Sequence, residues 1–237
     1  MQNIFYKNNP MLNKRLLEIV AFRPESALIA EQAGADRIEL CDDHAASGIT
    51  PSKASLDFVR HRLTIDLFVM VRPRGGDFVY TDEEFEQMKR DIEYCKQIGC
   101  EGVVFGILMP GTNLVDETRC SALVDLAGPM GVTFHRAIDK TPDALQAVDS
   151  IARCGFHRIL TSGGADNPLL GATRLNDMIR LAGKRLSIMP GGGVRADNIK
   201  QIKEITGAME FHSSALNLET MLPELDEIRT MKSILLA

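Results

Sequence analysis

Gly34-Ala-Asp-Arg-Ile-Glu-Leu-Cys41 reads as the end of one helix followed by the whole of one strand. Glycine stops a helix cheaply because it takes the left-handed conformation, and the alternating run behind it has the period of a strand. The phrase returns as Gly99-Cys-Glu-Gly-Val, Gly155-Phe-His-Arg-Ile and Gly207-Ala-Met-Glu-Phe. Short runs rich in Val, Ile, Leu or Phe predict strands at 16–20, 37–41, 67–72, 102–107, 132–135, 158–162, 186–189 and 209–212. The four phrases precede the second, fourth, sixth and eighth of these. Helical patterns fill the gaps. Thr81-Asp-Glu-Glu84 has the form of a capping box, and Thr141-Pro142 and Asn167-Pro168 each offer a cap before a proline at the first helical position.

Eight strands alternating with helices require a parallel sheet, and closing it gives a single (β/α)8 TIM barrel over residues 15–237. An open doubly wound sheet is disfavoured, because no G-x-G-x-x-G follows the first strand. Residues 1–14 read as a loose N-terminal arm. The 237 residues are 45% hydrophobic and 25% charged, with 27 Lys plus Arg against 32 Asp plus Glu and a net charge of −5. That balance excludes a basic nucleic-acid-binding face. No apolar run approaches a membrane span, and the N-terminal residues have no secretory-signal pattern, so neither membrane nor export is expected. Five cysteines, at 41, 95, 100, 120 and 154, fit reduced thiols and a cytoplasmic protein. Cys95 and Cys100 read as small buried fillers.

Strand alternation sorts side chains between two faces. Leu17 and Ile19, Ile38 and Leu40, Val132 and Phe134, and Met209 and Phe211 should meet the helices. Glu18 and Val20, Arg37, Glu39 and Cys41, Thr133 and His135, and Glu210 and His212 should then point into the barrel. Buried carboxylates need partners, and Arg37 and Arg72 are the natural ones. For Arg37, Glu18 and Glu210 a structural ion-pair layer and a functional role weigh equally. Cys41, Arg72, His135 and His212 fall at C-terminal strand ends, where barrels assemble their sites. His135, Glu39 and His212 are candidate acid/base groups.

The loops at that face carry Arg72-Pro-Arg-Gly-Gly-Asp77, Ser162-Gly-Gly164, Pro190-Gly-Gly-Gly-Val194 and the pair Ser213 and Ser214. Arg72 and Arg74 suit a carboxylate or phosphate. Ser162, Gly191, Gly192, Gly193, Ser213 and Ser214 can bring further donors to the same small anion. The bland alternative is a surface loop closed by ion pairs to Asp77. No lysine ends a strand to form a Schiff base, Lys140 lying in a loop, and neither H-E-x-x-H nor C-x-x-C occurs.

Several blocks resemble the CutC family: Arg37-Ile-Glu-Leu-Cys41, Thr50-Pro-Ser52, Val69-Met-Val-Arg-Pro-Arg-Gly-Gly-Asp-Phe78, Gly102-Val-Val-Phe-Gly106, Thr133-Phe-His-Arg-Ala-Ile-Asp139, Ile159-Leu-Thr-Ser-Gly163 and Ile188-Met-Pro-Gly-Gly-Gly193. The resemblance implies a cytoplasmic TIM barrel with a role in copper homeostasis. It also implies a copper site that pairs a first-strand Cys, in the pattern Glu-Xaa-Cys-Xaa-Asp, with a second-strand Cys. Here the first strand reads Glu18-Ile-Val-Ala-Phe22, so Val20 stands for the Cys and Phe22 for the Asp. Cys41 alone is left as a Cu(I) ligand, with His135 or His212 as helpers, and Cu(I) favours two or more soft ligands. The expectations are therefore copper binding, or an enzyme or binder for a small anionic metabolite at the barrel mouth. A mainly oligomeric role would need an apolar stripe on the outer helices, and none demands it; a homo-oligomer stays open.

Overall fold

In a computed structural model, which describes residues 15–237, the chain forms the expected barrel. The arm assigned to 1–14 lies outside the described residues. The barrel strands are β1 (Leu16–Ala21), β2 (Arg37–Leu40), β3 (Asp66–Met70), β4 (Gly102–Phe105), β5 (Gly131–Phe134), β6 (Arg158–Thr161), β7 (Ser187–Pro190) and β8 (Glu210–Ser213). They alternate with α1 (Pro24–Gln32), α2 (Lys53–Arg60), α3 (Asp82–Gln97), α4 (Glu117–Ala127), α5 (Ala144–Arg153), α6 (Ala172–Ala182), α7 (Ile199–Thr206) and α8 (Leu225–Leu236). The parallel ladder runs from β7 through β1 to β8, and β7 and β8 lie side by side to close it. All eight sequence-derived strands are present, with ends shifted by one or two residues at most positions. No helix among the described residues is long and apolar enough to cross a membrane.

The two faces sort as the alternation requires. Leu17, Ile19, Ile38, Leu40, Val132, Phe134 and Phe211 belong to the large core between strands and helices. A separate, smaller cluster fills the barrel interior: Val20, Cys41, Phe68, Met70 and Val104. Met209 departs from expectation. It precedes the first residue of β8 and is 41% exposed rather than packed outward. Cys95 and Cys100 are buried free thiols in the outer core.

The Thr81 capping box forms, with Thr81 Oγ1 accepting from Glu84 N–H and the Glu84 carboxylate accepting from Thr81 N–H. The two proline signals act one turn early. Thr141 ends a 3-10 turn (Arg136–Lys140), and Asp143 caps α5 instead, accepting from Leu145 and Gln146 N–H. Asn167 accepts from Leu169 and Leu170 N–H, so it caps a turn over 168–171 that leads into α6. A two-residue antiparallel pair, β9 (Leu216–Asn217) and β10 (Leu222–Pro223), was not legible in the sequence.

The interior has a polar floor. Arg37 pairs with Glu18 and, at 2.7 Å, with Glu210, and Arg158 pairs with Glu210 and donates to Thr133 Oγ1 at 3.2 Å. The Phe68 ring lies beneath both guanidinium groups, 4.8 Å from Arg37 and 5.2 Å from Arg158. Two cations thus neutralise two buried carboxylates, and the ring's negative face adds a cation–π contact to each. Burial opposes charge on Glu18, but Arg37 and His212 outweigh it and hold the carboxyl far below the usual range.

Candidate functional site

Above the floor, a cavity of about 670 Å³ opens at the C-terminal ends of the strands. That volume suits a small metabolite. One wall is built from β1, β2 and β8. The register sets Glu18 opposite both Arg37 and His212, and Val20 opposite Glu39. His212 Nδ1 meets Glu18 Oε1 at 2.7 Å, which orients the ring and turns Nε2 toward Glu39 Oε2, 3.8 Å away. Cys41 Sγ donates to the same Oε2 at 3.6 Å. Glu39 Oε1 has no hydrogen-bond partner. Burial pushes the Glu39 carboxyl up to about 7, with His212 pulling the other way. Burial alone would depress His212, but Glu39 and Glu18 outweigh it and raise its pKa. Burial, then Glu39, keep Cys41 a thiol.

The adjoining wall comes from the loops after β3 and β5. His135 follows β5 directly and is 3% exposed. Its ring fits because Gly106 lies beside it: a Cβ there would stand 2.7 Å from His135 Nδ1. Phe78 covers the ring at 4.8 Å between centroids. Burial and then the Arg72 charge hold His135 down at about 3, so it is neutral near pH 7. Arg72 is 4% exposed, and the expected pairing with a buried carboxylate does not occur. Glu18 and Glu210 take Arg37 and Arg158 instead, and Glu39 faces His212 and Cys41. Arg72 Nη1 donates to Ala46 O at 2.7 Å and Gly48 O at 2.9 Å, and Nη2 to Gly76 O at 2.9 Å. It ties the loops after β2 and β3 together.

Most candidates from the sequence meet at this cavity. Glu39, Cys41, Arg72, His135, His212, Gly192, Gly193, Ser213 and Ser214 all line it. Arg74, Ser162 and Gly191 are not on its wall. Arg74 is engaged by Asp77 at 3.0 Å, the ion pair that the bland reading of this loop foresaw, and by Glu84 at 2.7 Å, which it did not foresee. Ser162 Oγ donates to Ala165 O at 2.6 Å inside its own loop. Gly191 serves packing, since a Cβ there would lie 2.3 Å from Leu160 Cδ1. The Ser213 hydroxyl is also committed, donating to Val194 O at 2.6 Å. Sequence reasoning missed Phe22, His44, Phe78, Arg136, Asp139 and Lys140 on the wall. Asp139 accepts from Ser162 and Gly164 N–H and so shapes the loop after β6. The repeat of charge in His135-Arg-Ala-Ile-Asp-Lys140 was the signal available for it.

Glu18, Glu39 and His212 offer ligand atoms within 4.8 Å of one another. Glu18 is already committed to Arg37, so it orients His212 from behind rather than ligating. That leaves one imidazole nitrogen, one carboxylate and one thiol facing the cavity. The other four cysteines lie elsewhere, in the outer core. The donor set fits a borderline ion, and fits Cu(I) only through a single sulfur.

A closed parallel barrel with its polar, ligand-sized cavity at the C-terminal strand ends defines a protein of the class that builds its functional site on that face. The chain belongs to the CutC family, whose model matches residues 15–217. It is 46% identical over 199 residues to a CutC family protein of Xanthomonas campestris, covering 84% of this chain and 82% of that one. It is 43% identical to the human copper homeostasis protein cutC homolog, over 86% of this chain and 74% of that one. Among solved structures, a candidate copper homeostasis protein CutC from Streptococcus agalactiae superposes with a TM-score of 0.80 at 31% identity, covering 84% and 98% of the two chains. Phosphoribosyl anthranilate isomerase from Thermotoga maritima, at 13% identity and a TM-score of 0.61, shares the fold.

Proposed function

We propose that this chain serves copper homeostasis, as the names of its relatives state, with copper as cargo held at the barrel mouth by Cys41, Glu39 and His212. One observation carries the reading: the single thiol of the barrel interior stands 3.6 Å from Glu39 Oε2, which stands 3.8 Å from His212 Nε2. The carboxylate of Glu18 behind His212 is the arrangement that fixes the tautomer of a metal-binding histidine. A cytoplasmic location agrees with five free thiols.

With one sulfur, and that one held as a thiol, Cu(I) binding is weak and depends on Cys41. Competition against a chromogenic chelator under reducing, oxygen-free conditions measures it. Cys41→Ala abolishes binding on this reading, and tight binding that survives Cys41→Ala overturns the ligand set. Val20 lies in the same interior cluster as Cys41. Val20→Cys supplies a second soft donor and should tighten Cu(I) at least about tenfold in the same assay.

A further inference from the structure

The rim of the cavity poses a different chemical demand. Arg72 is buried, yet no ion pair joins it to a carboxylate among the described residues, and residues 1–14 contain no Asp or Glu. Backbone carbonyls of Ala46, Gly48 and Gly76 satisfy its Nη protons, and the Phe78 ring lies 4.9 Å from the guanidinium. Dipoles and a ring face solvate the charge without cancelling it. The Nε–H makes no well-formed hydrogen bond, and the Tyr80 hydroxyl beside the guanidinium adds a further neutral dipole, not a counter-charge. A buried cation without a counter-ion is costly, and it persists where something else supplies the negative charge.

His135 adds an unmet donor. Its Nδ1 accepts from Ala137 N–H at 3.3 Å, which places the proton of the neutral ring on Nε2. That Nε2–H has no partner. Both residues line the same cavity, and Lys140 and the Gly192 and Gly193 backbone lie on its wall as well. A water molecule could accept from either donor, but it could not neutralise Arg72. A metal ion is repelled by a guanidinium and finds no lone pair on an Nε2 that carries hydrogen. What remains is an acceptor oxygen with negative charge.

We propose that Arg72 and His135 form a preformed receptor for a small oxyanion, the carboxylate or phosphate group of a metabolite, set nearer the rim than the Cys41, Glu39 and His212 cluster. His135 Nε2–H donates to an oxygen of the group, and the buried guanidinium of Arg72 supplies the counter-charge. The receptor makes no use of the proposed copper ligands, so either reading can fail alone.

The test uses the full chain, freed of metal by a chelator, at pH 7 and constant ionic strength. Thermal unfolding is followed while sodium phosphate or sodium acetate replaces sodium chloride. Saturable stabilisation by phosphate, by acetate, or by both supports the receptor, and the stronger of the two names the class. No stabilisation beyond that of chloride overturns it. Arg72 also braces two loops, so Arg72→Ala is open to misfolding; Arg72→Lys and His135→Phe are the informative variants. Each should weaken the anion about tenfold or more. An unchanged anion affinity in folded His135→Phe and Arg72→Lys proteins places the anion elsewhere and also overturns the proposal.

Discussion

His135 is kept neutral by burial and by the neighbouring Arg72 charge, with its pKa near 3 instead of 6.5. The unfolded chain therefore binds a proton there that the folded chain refuses. Its contribution to stability is complete above pH 6.5 and is lost as the pH falls toward 3. The linked free energy is on the order of 5 kcal/mol. Urea unfolding at pH 7 and pH 4.5 should show a smaller acid loss for His135→Phe than for the parent; equal losses would refute this assignment. His135 was legible from the sequence because it ends a strand on the inward face. Glu39 and Cys41 were legible for the same reason, since period-two alternation in Arg37-Ile-Glu-Leu-Cys41 leaves no choice once Ile38 and Leu40 face the helices. Arg74 was misplaced because it lies in a loop, where no period fixes direction, and Glu84 on α3 claims it. Arg72 was placed correctly but partnered wrongly: its carbonyl acceptors lie in a loop whose path no pattern in the chain reveals.

At the scale of the element, β4 and β5 begin with glycines that make room for one ring. A Cβ on Gly102 would lie 2.2 Å from Phe68 Cε1, and one on Gly131 would lie 2.6 Å from Phe68 Cζ. Phe68 cannot retreat, because Arg37 and Arg158 sit over it. Gly102→Ala should therefore destabilise by about 1–3 kcal/mol, the usual cost of overpacking, or more if the ring is displaced. Equilibrium denaturation measures it, and a neutral result would mean that the floor yields more readily than its contacts suggest. Gly102 read in the sequence only as a strand start, and Gly131 fell one residue before the expected strand. Their spatial role needs the register of Phe68 against Gly102, a tertiary fact. The Thr81 capping box was legible because all its partners lie within four residues, whereas the prolines at 142 and 168 marked turns and not helix starts.

For the whole molecule, the floor links β1, β2, β6 and β8, strands drawn from both ends of the chain. Glu18→Gln leaves Arg37 and His212 with half their compensation in a buried site. The expected loss is about 3–5 kcal/mol, read as a lower urea midpoint with little change in slope. A loss below about 1 kcal/mol would show that Glu210 alone suffices for Arg37. The barrel as a whole was legible from the count and spacing of eight strands, and its closure followed from that count. The floor also makes the barrel a cup rather than a pipe. Glu39 sits level with Phe68 in the ladder, while Arg72 stands four residues further toward the rim on the strand that carries Phe68. Whatever settles against Glu39 and His212 lies deeper than Arg72 in the same cavity. Two occupants of this vessel would form a queue in which the deeper one arrives first and departs last, so an oxyanion at the rim would act as a stopper on the metal beneath it.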